Sequence, residues 1–169
     1  MTSKLKEPHV LLASANLLRM QKNLAPHISL RSLKSIQKAF DDNVKQLYNL
    51  GKEHFEFAEK IADFHWRQKI SRLYYAAYNV RRAIVLKNDG SFNMDISDHQ
   101  KIDQLPADFP NQNTYSNKLK ALRDDRNLSD YGHTASPLDL LNSPDDAKQL
   151  VADFIGDAKA FLKRKGLRV

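Results

Sequence analysis

Apolar residues recur along this chain at spacings of three and four, the repeat of one helix face, and no stretch shows the strict alternation of a half-buried strand. Leu33, Ile36, Phe40, Val44, Leu47, Phe55, Ala58 and Ile61 follow that repeat and predict a long helical region over residues 30–62, with Gly51 as the place for a break. The next segment, "WRQKISRLYYAAYNVRRAIVLKN", sets Ile70, Leu73, Tyr74, Ala77, Ile84 and Val85 on one broad face, and its small Ala76 and Ala77 invite close approach by a second helix. The last helix has the clearest start: Ser143 is a cap, Pro144 suits the first position, and Asp145 and Asp146 favour the positive end of the helix dipole. Ala147, Leu150, Val151, Phe154, Ile155, Ala158, Phe161 and Leu162 then keep helical spacing up to Lys163-Arg164-Lys165 and a stopping Gly166. A short helix is expected in "HVLLASANLLRMQKNLAPHIS", ending near Pro26. The polar "NDGSFNMDISDHQKIDQLPADFPNQN" is long enough to be mobile, with at most a helical turn between residues 98 and 105. Taken together the pattern predicts an all-α antiparallel bundle of four to five helices plus an N-terminal helical segment, the long second and third helices running antiparallel.

One helix breaks its own rule. Tyr115, Leu119 and Leu122 begin a stripe whose continuation is Arg126, Ser129 and His133, within "RDDRNLSDYGHT". An unpaired guanidinium is costly to bury, so this end of the stripe must meet a counter-charge, water or an anionic ligand at a crevice. Asp130, one turn after Arg126, is the nearest candidate partner, and Gly132 is placed to end the helix.

At 169 residues, 41% apolar and 28% charged, the chain suits one domain with a sizeable core, read here as a basic extension over residues 1–28 and a helical domain over 29–169. Cysteine is absent, which excludes disulfides and thiolate metal sites. "MTSKLKEPHV" lacks the apolar core of a signal peptide, and no run approaches the ~20 apolar residues of a membrane helix, so a cytoplasmic protein with no membrane partner is expected. The net charge of +7 is uneven: residues 1–38 hold seven Lys/Arg against Glu7, and Lys163, Arg164, Lys165 and Arg168 crowd the end. Such basic ends suit a polyanion or simply water. Asp95, Asp98, His99 and Asp103 match no standard zinc spacing and read as a polar loop or helix cap, and His54 and His65 stand alone. There is no phosphate-cradling glycine loop and no carboxylate set for two metals, so neither metal nor cofactor is expected.

Three segments resemble the HEPN domains of prokaryotic nucleotide-binding and ribonuclease proteins, in the family's order. "SRLYYAAYNVRRAI" is similar to its Tyr-Tyr-Ala helix, "LKALRDDRNLSDYGH" to its signature helix end and "DDAKQLVADFIGDAKAFL" to its closing helix; "SDHQKIDQLPADFP" is similar to its His-containing linker. The resemblance spans residues 41–163 and implies a HEPN-like bundle. Its most specific element is an arginine followed by a histidine after six residues, here Arg126 and His133, with Asn127 directly after the arginine. In the family that pair implies the catalytic centre of a metal-independent endoribonuclease, shared by two subunits, in a toxin–antitoxin or antiphage setting. RNA and a second copy of the chain are then the expected partners, with a small nucleotidyltransferase as antitoxin.

The residue types suit that chemistry. Histidine can serve as base or acid near neutral pH, and arginine presents a permanently charged planar fork to phosphate oxygens. Asn127, Asp130 and Tyr131 are the supporting residues, and Lys118, Lys120 and Arg123 are placed to contact RNA phosphates or else to form a solvated face. The cluster Tyr74, Tyr75 and Tyr78 reads as core. "RNLSDYGH" also resembles the family's Arg-x-x-x-Asp-Tyr variant, which implies the alternative of a non-catalytic module that binds nucleotide, RNA or protein.

Overall fold

The computed structural model describes residues 16–91 and 96–169. Among them lie five α-helices and no strand: α1 (Leu17–Leu24), α2 (Leu30–Glu59), α3 (Trp66–Asp89), α4 (Gln112–Tyr131) and α5 (Pro144–Arg164). No helix among these residues is long and apolar enough to cross a membrane.

The central element is α3. Buried residues occupy most of its circumference, from Trp66, Ile70 and Leu73 to Ala83, Ile84, Val85 and Leu86, with Lys69, Asn79 and Arg81 among them. It is enclosed by α2, α4 and α5, which pack on it more than on one another. Pairings fix the direction of α2 against α3: Asp41 meets Lys87 at 2.8 Å, Gly51 meets Ala76, and His54 meets Arg72. Low residue numbers face high ones, so the two long helices are antiparallel, as the pattern predicts.

Gly51 does not break α2, which runs unbroken from Leu30 to Glu59. A Cβ there would stand 2.5 Å from Val80 Cγ2 and 2.8 Å from the Ala76 carbonyl oxygen. The glycine lets α2 and α3 touch backbone to backbone, on the small face that Ala76 supplies. Ile36, Phe40, Val44, Tyr48 and Ala58 complete the buried face of α2.

The helix ends follow their capping residues. Asn16 Oδ1 accepts from Arg19 N–H to start α1, Ser29 Oγ from Ser32 N–H to start α2, and Ser143 Oγ from Asp146 N–H to start α5. Gly166 adopts φ +81° after α5, where Leu167 N–H bonds Leu162 O and Gly166 N–H bonds Lys163 O, a paired closure that also seats Leu167 in the core. The short helix predicted before Pro26 is present as α1, and residues 9–15 of that expectation lie outside the described residues. Its first turn rests on the end of α3, where Leu17 N–H donates to Gly90 O at 2.8 Å and a Cβ on Gly90 would meet Asn16 and Leu18.

The polar linker after α3 is not loose over its described part. It forms a 3-10 turn, Ile96–Lys101, then buries Ile102, Leu105 and Phe109, and Phe109 packs on Tyr115, Phe154 and Phe161 at centroid distances of 5.3–5.7 Å. The buried carboxylate of Asp98 joins Arg81 at 2.9 Å and accepts from the Tyr78 hydroxyl at 2.8 Å. Arg81 Nε–H and Ser116 Oγ–H donate to the carbonyls of Gln104 and Asp103. The backbone of the linker is thereby stapled to α3 and α4. Asp95, named with Asp98 in the sequence reading, lies outside the described residues.

Candidate functional site

The buried face of α4 runs Tyr115, Leu119, Leu122, Asp125 and Ser129. Arg126 therefore stands at the edge of the stripe, where its guanidinium lies over three rings of α3 and α4: Tyr74 at 5.7 Å, Tyr75 at 5.6 Å and Tyr131 at 5.5 Å. Its Nη2–H donates to the Tyr75 hydroxyl at 3.1 Å and its Nη1–H to Asn127 Oδ1 at 3.2 Å. Nε sits 2.8 Å from Asp130 Oδ2, an ion pair whose N–H is not aimed along the contact. Burial disfavours the charge on Arg126, and Tyr75, Asp130 and Tyr131 more than offset it, raising its pKa further. The stripe thus accepts an arginine because tyrosines, one carboxylate and a wet edge receive it. Two of the five guanidinium N–H donors are hydrogen-bonded; among the described residues the other three are not, Nε–H being ion-paired alone.

Beyond Tyr131 the chain leaves the helix. Gly132 N–H closes it on Leu128 O at 2.8 Å, and a Cβ on Gly132 would crowd that carbonyl at 2.7 Å. The loop 132–143 is then held at both ends. Arg67 of α3 donates to the carbonyls of Ser129, Gly132 and Ala135 at 2.7–2.8 Å, satisfying the exposed carbonyl end of α4 with a cation. Asp125, 1% exposed, accepts from Leu141 N–H at 2.6 Å and from Asn142 N–H and Nδ2–H at 3.0 and 2.8 Å. Between these clamps His133 is exposed and, among the described residues, makes no hydrogen bond or ion pair. No hydrogen bond, ion pair or ring contact joins it to Arg126 within the chain.

Alongside lies an open cleft of about 370 Å³ lined by Arg67, Gln68, Ser71, Arg72, Tyr75, Ser129 and Asp130. Tyr75 separates Arg126 from His54 of α2, whose ring stands 5.8 Å away and whose pKa is lowered by burial and by the Arg72 charge. Exposed Phe57 and Phe64 border an adjoining cleft that shares Gln68 and Arg72. Tyr131, Leu138 and Leu141 are exposed on the α4 end and its loop.

The sequence-predicted residues divide by place. Asn127, Asp130 and Tyr131 each meet Arg126; Tyr131, 73% exposed, presents its ring to it. Arg123 is partly committed, donating to the Gln100 carbonyl at 3.2 Å and pairing with Asp124 at 3.0 Å. Lys120 is exposed, and Lys118 opens into a different cleft beside Asp146, Gln149 and Asp153. Among the described residues no three His, Asp or Glu side chains converge as a metal site would need.

The residue missed in the sequence as part of this site is His99. Its ring stacks on Tyr78 at 4.3 Å and lies over Tyr74 at 5.9 Å, with Nδ1 2.8 Å from the Tyr74 hydroxyl. Burial and then the Arg126 charge lower its pKa, against the opposing pull of Asp98. An arginine and a histidine whose neutral form is favoured thus share the ring of Tyr74. No family model matches the chain, and neither a curated protein nor a solved structure matches it.

Proposed function

We propose that this chain is a metal-independent endoribonuclease of the HEPN type, acting as a homodimer whose two α4 ends face each other across one RNA cleft. The observation that carries the reading is the setting of Arg126: a guanidinium seated on three tyrosine rings, bordering an open cleft, just before a doubly clamped loop that presents His133. The likeness of "SRLYYAAYNVRRAI", "RNLSDYGH" and the closing helix to the family supports it from the sequence side, and with it the HEPN-like arrangement of the bundle and a nucleotidyltransferase antitoxin.

The reaction needs little beyond these residues. The ribose 2′-hydroxyl attacks the adjacent phosphorus, the new 2′-O–P bond forms, and the P–5′-O bond breaks to leave a cyclic phosphate and a 5′-hydroxyl. One group must take the 2′ proton and another must give a proton to the departing 5′ oxygen; His133 from each of two chains supplies both roles across a two-fold axis. Arg126 carries the charge of the crowded phosphorane. Exposed Phe57, Phe64, Tyr131, Leu138 and Leu141 support a second copy as the covering surface.

The Arg126–Asp130 ion pair favours one other reading, a binding module in which Asp130 keeps the arginine from chemistry. The test is RNA cleavage by the purified, partner-free chain in excess chelator, with its mass measured by light scattering. Cleavage by a dimer is expected. Binding without cleavage would replace the enzyme with the module, and a monomer at micromolar concentration would remove the shared site.

A further inference from the structure

His99 is held more firmly than a surface histidine has reason to be. Asp98 before it is locked to Arg81 and Tyr78, and the Gln100 carbonyl after it accepts from Arg123. Its ring lies nearly parallel to Tyr78, at 13°. Three residues, Tyr78 and Arg81 of α3 and Arg123 of α4, therefore set the position of one imidazole.

The Tyr74 hydroxyl also sets its tautomer. Tyr74 is 1% exposed, and His99 Nδ1 is the hydrogen-bond partner of its hydroxyl among the described residues. Burial pushes the pKa of Tyr74 well above its ordinary value, so the oxygen keeps its proton. A buried O–H left without an acceptor is costly, so it donates to Nδ1. Nδ1 is then bare, and the neutral ring carries its proton on Nε2. Nε2 has no partner among the described residues, and in the half-buried His99 it is not wholly enclosed. Arg126 is near enough for its charge to act on the ring, and both groups contact the same two tyrosines: His99 is stacked on Tyr74 and edge-on to Tyr75, and Arg126 lies over both.

We propose that His99 and Arg126 form a phosphate-binding pair, Arg126 supplying charge and the Nε2–H of neutral His99 a directed hydrogen bond to a phosphate oxygen of RNA. The pair rests on the RNA reading above and assigns it a second phosphate contact, distinct from His133. Arginine alone attracts any anion from many directions. A rigid imidazole donor on the same platform selects one oxygen and one orientation of the phosphate.

The test uses the full chain and a fluorescent 2′-O-methyl uridine oligonucleotide, which lacks the attacking hydroxyl, with anisotropy read at one fixed salt concentration. His99→Ala is expected to weaken binding about tenfold, the scale of one lost hydrogen bond to a charged group. His99→Gln, which keeps an N–H donor, is expected to retain most of the affinity. Two-bond 1H–15N NMR is expected to show His99 protonated on Nε2 in the wild type, and Tyr74→Phe to release that preference and weaken binding; this arm stands even where His99→Ala does not fold. If His99→Ala binds as the wild type does while Arg126→Ala does not, His99 is packing only and the RNA reading survives without it. A wild type protonated on Nδ1 also overturns the pair. If the wild type binds no RNA at all, the functional reading falls and the pair falls with it.

Discussion

Arg126 and His133 are both at the mouth of the α4 end, yet they are built differently, and the difference gives each a separate signature. Arg126 is engaged by Tyr75, Asn127 and Asp130 and lies over three rings, whereas His133 has no polar partner among the described residues. Truncating His133 opens no apolar cavity, so on the proposed ribonuclease reading His133→Ala is expected to leave helicity, dimer mass and RNA affinity unchanged while cleavage falls ~10²–10⁴-fold, the usual worth of a proton-transfer group. On the proposed ribonuclease reading, Arg126→Ala is expected to lower both affinity and rate, because it would remove a phosphate contact and the charge opposite the phosphorane. Single-turnover cleavage and anisotropy separate the two effects. Wild-type cleavage by His133→Ala would assign the proton elsewhere. The Arg126–Asp130 pair was legible in the sequence as a one-turn spacing. Asp125 was not: the buried stripe continues from Leu122 through Asp125 to Ser129, and nothing in a periodic pattern distinguishes a carboxylate that anchors a loop from one that faces water.

At the scale of elements, residues that look like flaws in a pattern act as packing devices. The pattern placed a helix break at Gly51, because glycine lowers helix propensity by ~1 kcal/mol. The structure instead uses it as the contact point of two long helices. The legible signal was the small pair Ala76 and Ala77 on the partner helix, which allows close approach but names no opposing residue. Gly51→Ala is expected to destabilise the fold by ~1–3 kcal/mol, since its Cβ would collide with Val80 and with the backbone oxygen of Ala76, which cannot move aside as a flexible side chain can. Gly156, where a Cβ would meet nothing within 4 Å, is the control: Gly156→Ala in α5 is expected to be neutral or stabilising. Chemical denaturation of the two variants decides the point, and equal stability would sink the close-contact account. The linker failed to read for a related reason. Its polar composition suggested mobility, yet Ile102, Leu105 and Phe109 keep spacings of three and four and are buried. Among its polar residues it is Asp98 that faces α3, bonded to Arg81 and Tyr78, and it sets the place of His99.

At the scale of the molecule, burial of imidazoles couples the site to the stability of the whole fold. His99 faces Tyr74, Tyr75 and Tyr78 of α3, Asp98 of its own turn, Arg82 of α3 and Arg126 of α4; His54 faces Arg72 and Tyr75 of α3 and Glu53 of its own helix. Both histidines have folded pKa values below the ordinary 6.5, for burial first and a neighbouring arginine second. The unfolded chain therefore takes up protons at a higher pH than the folded one, and stability falls wherever the unfolded state binds more of them. The contribution of these groups is complete above the ordinary histidine value and is lost progressively as pH drops through 6.5 toward the folded values. Other shifted groups do not titrate in that window. Tyr78 is pushed up to about 12 by burial and by its bond to Asp98, and Asp63, Asp108 and Asp139 are held below the carboxylate range by hydrogen bonds. Thermal melting is thus expected at progressively lower temperature as pH is taken from 8 to about 5. The profile is expected to flatten in His99→Gln, which keeps polar contact with Tyr74 and removes the titrating ring. A melting temperature that stays level through that range, or a His99→Gln profile as steep as the wild type, would mean that the imidazole beside Arg126 is not held neutral by the fold.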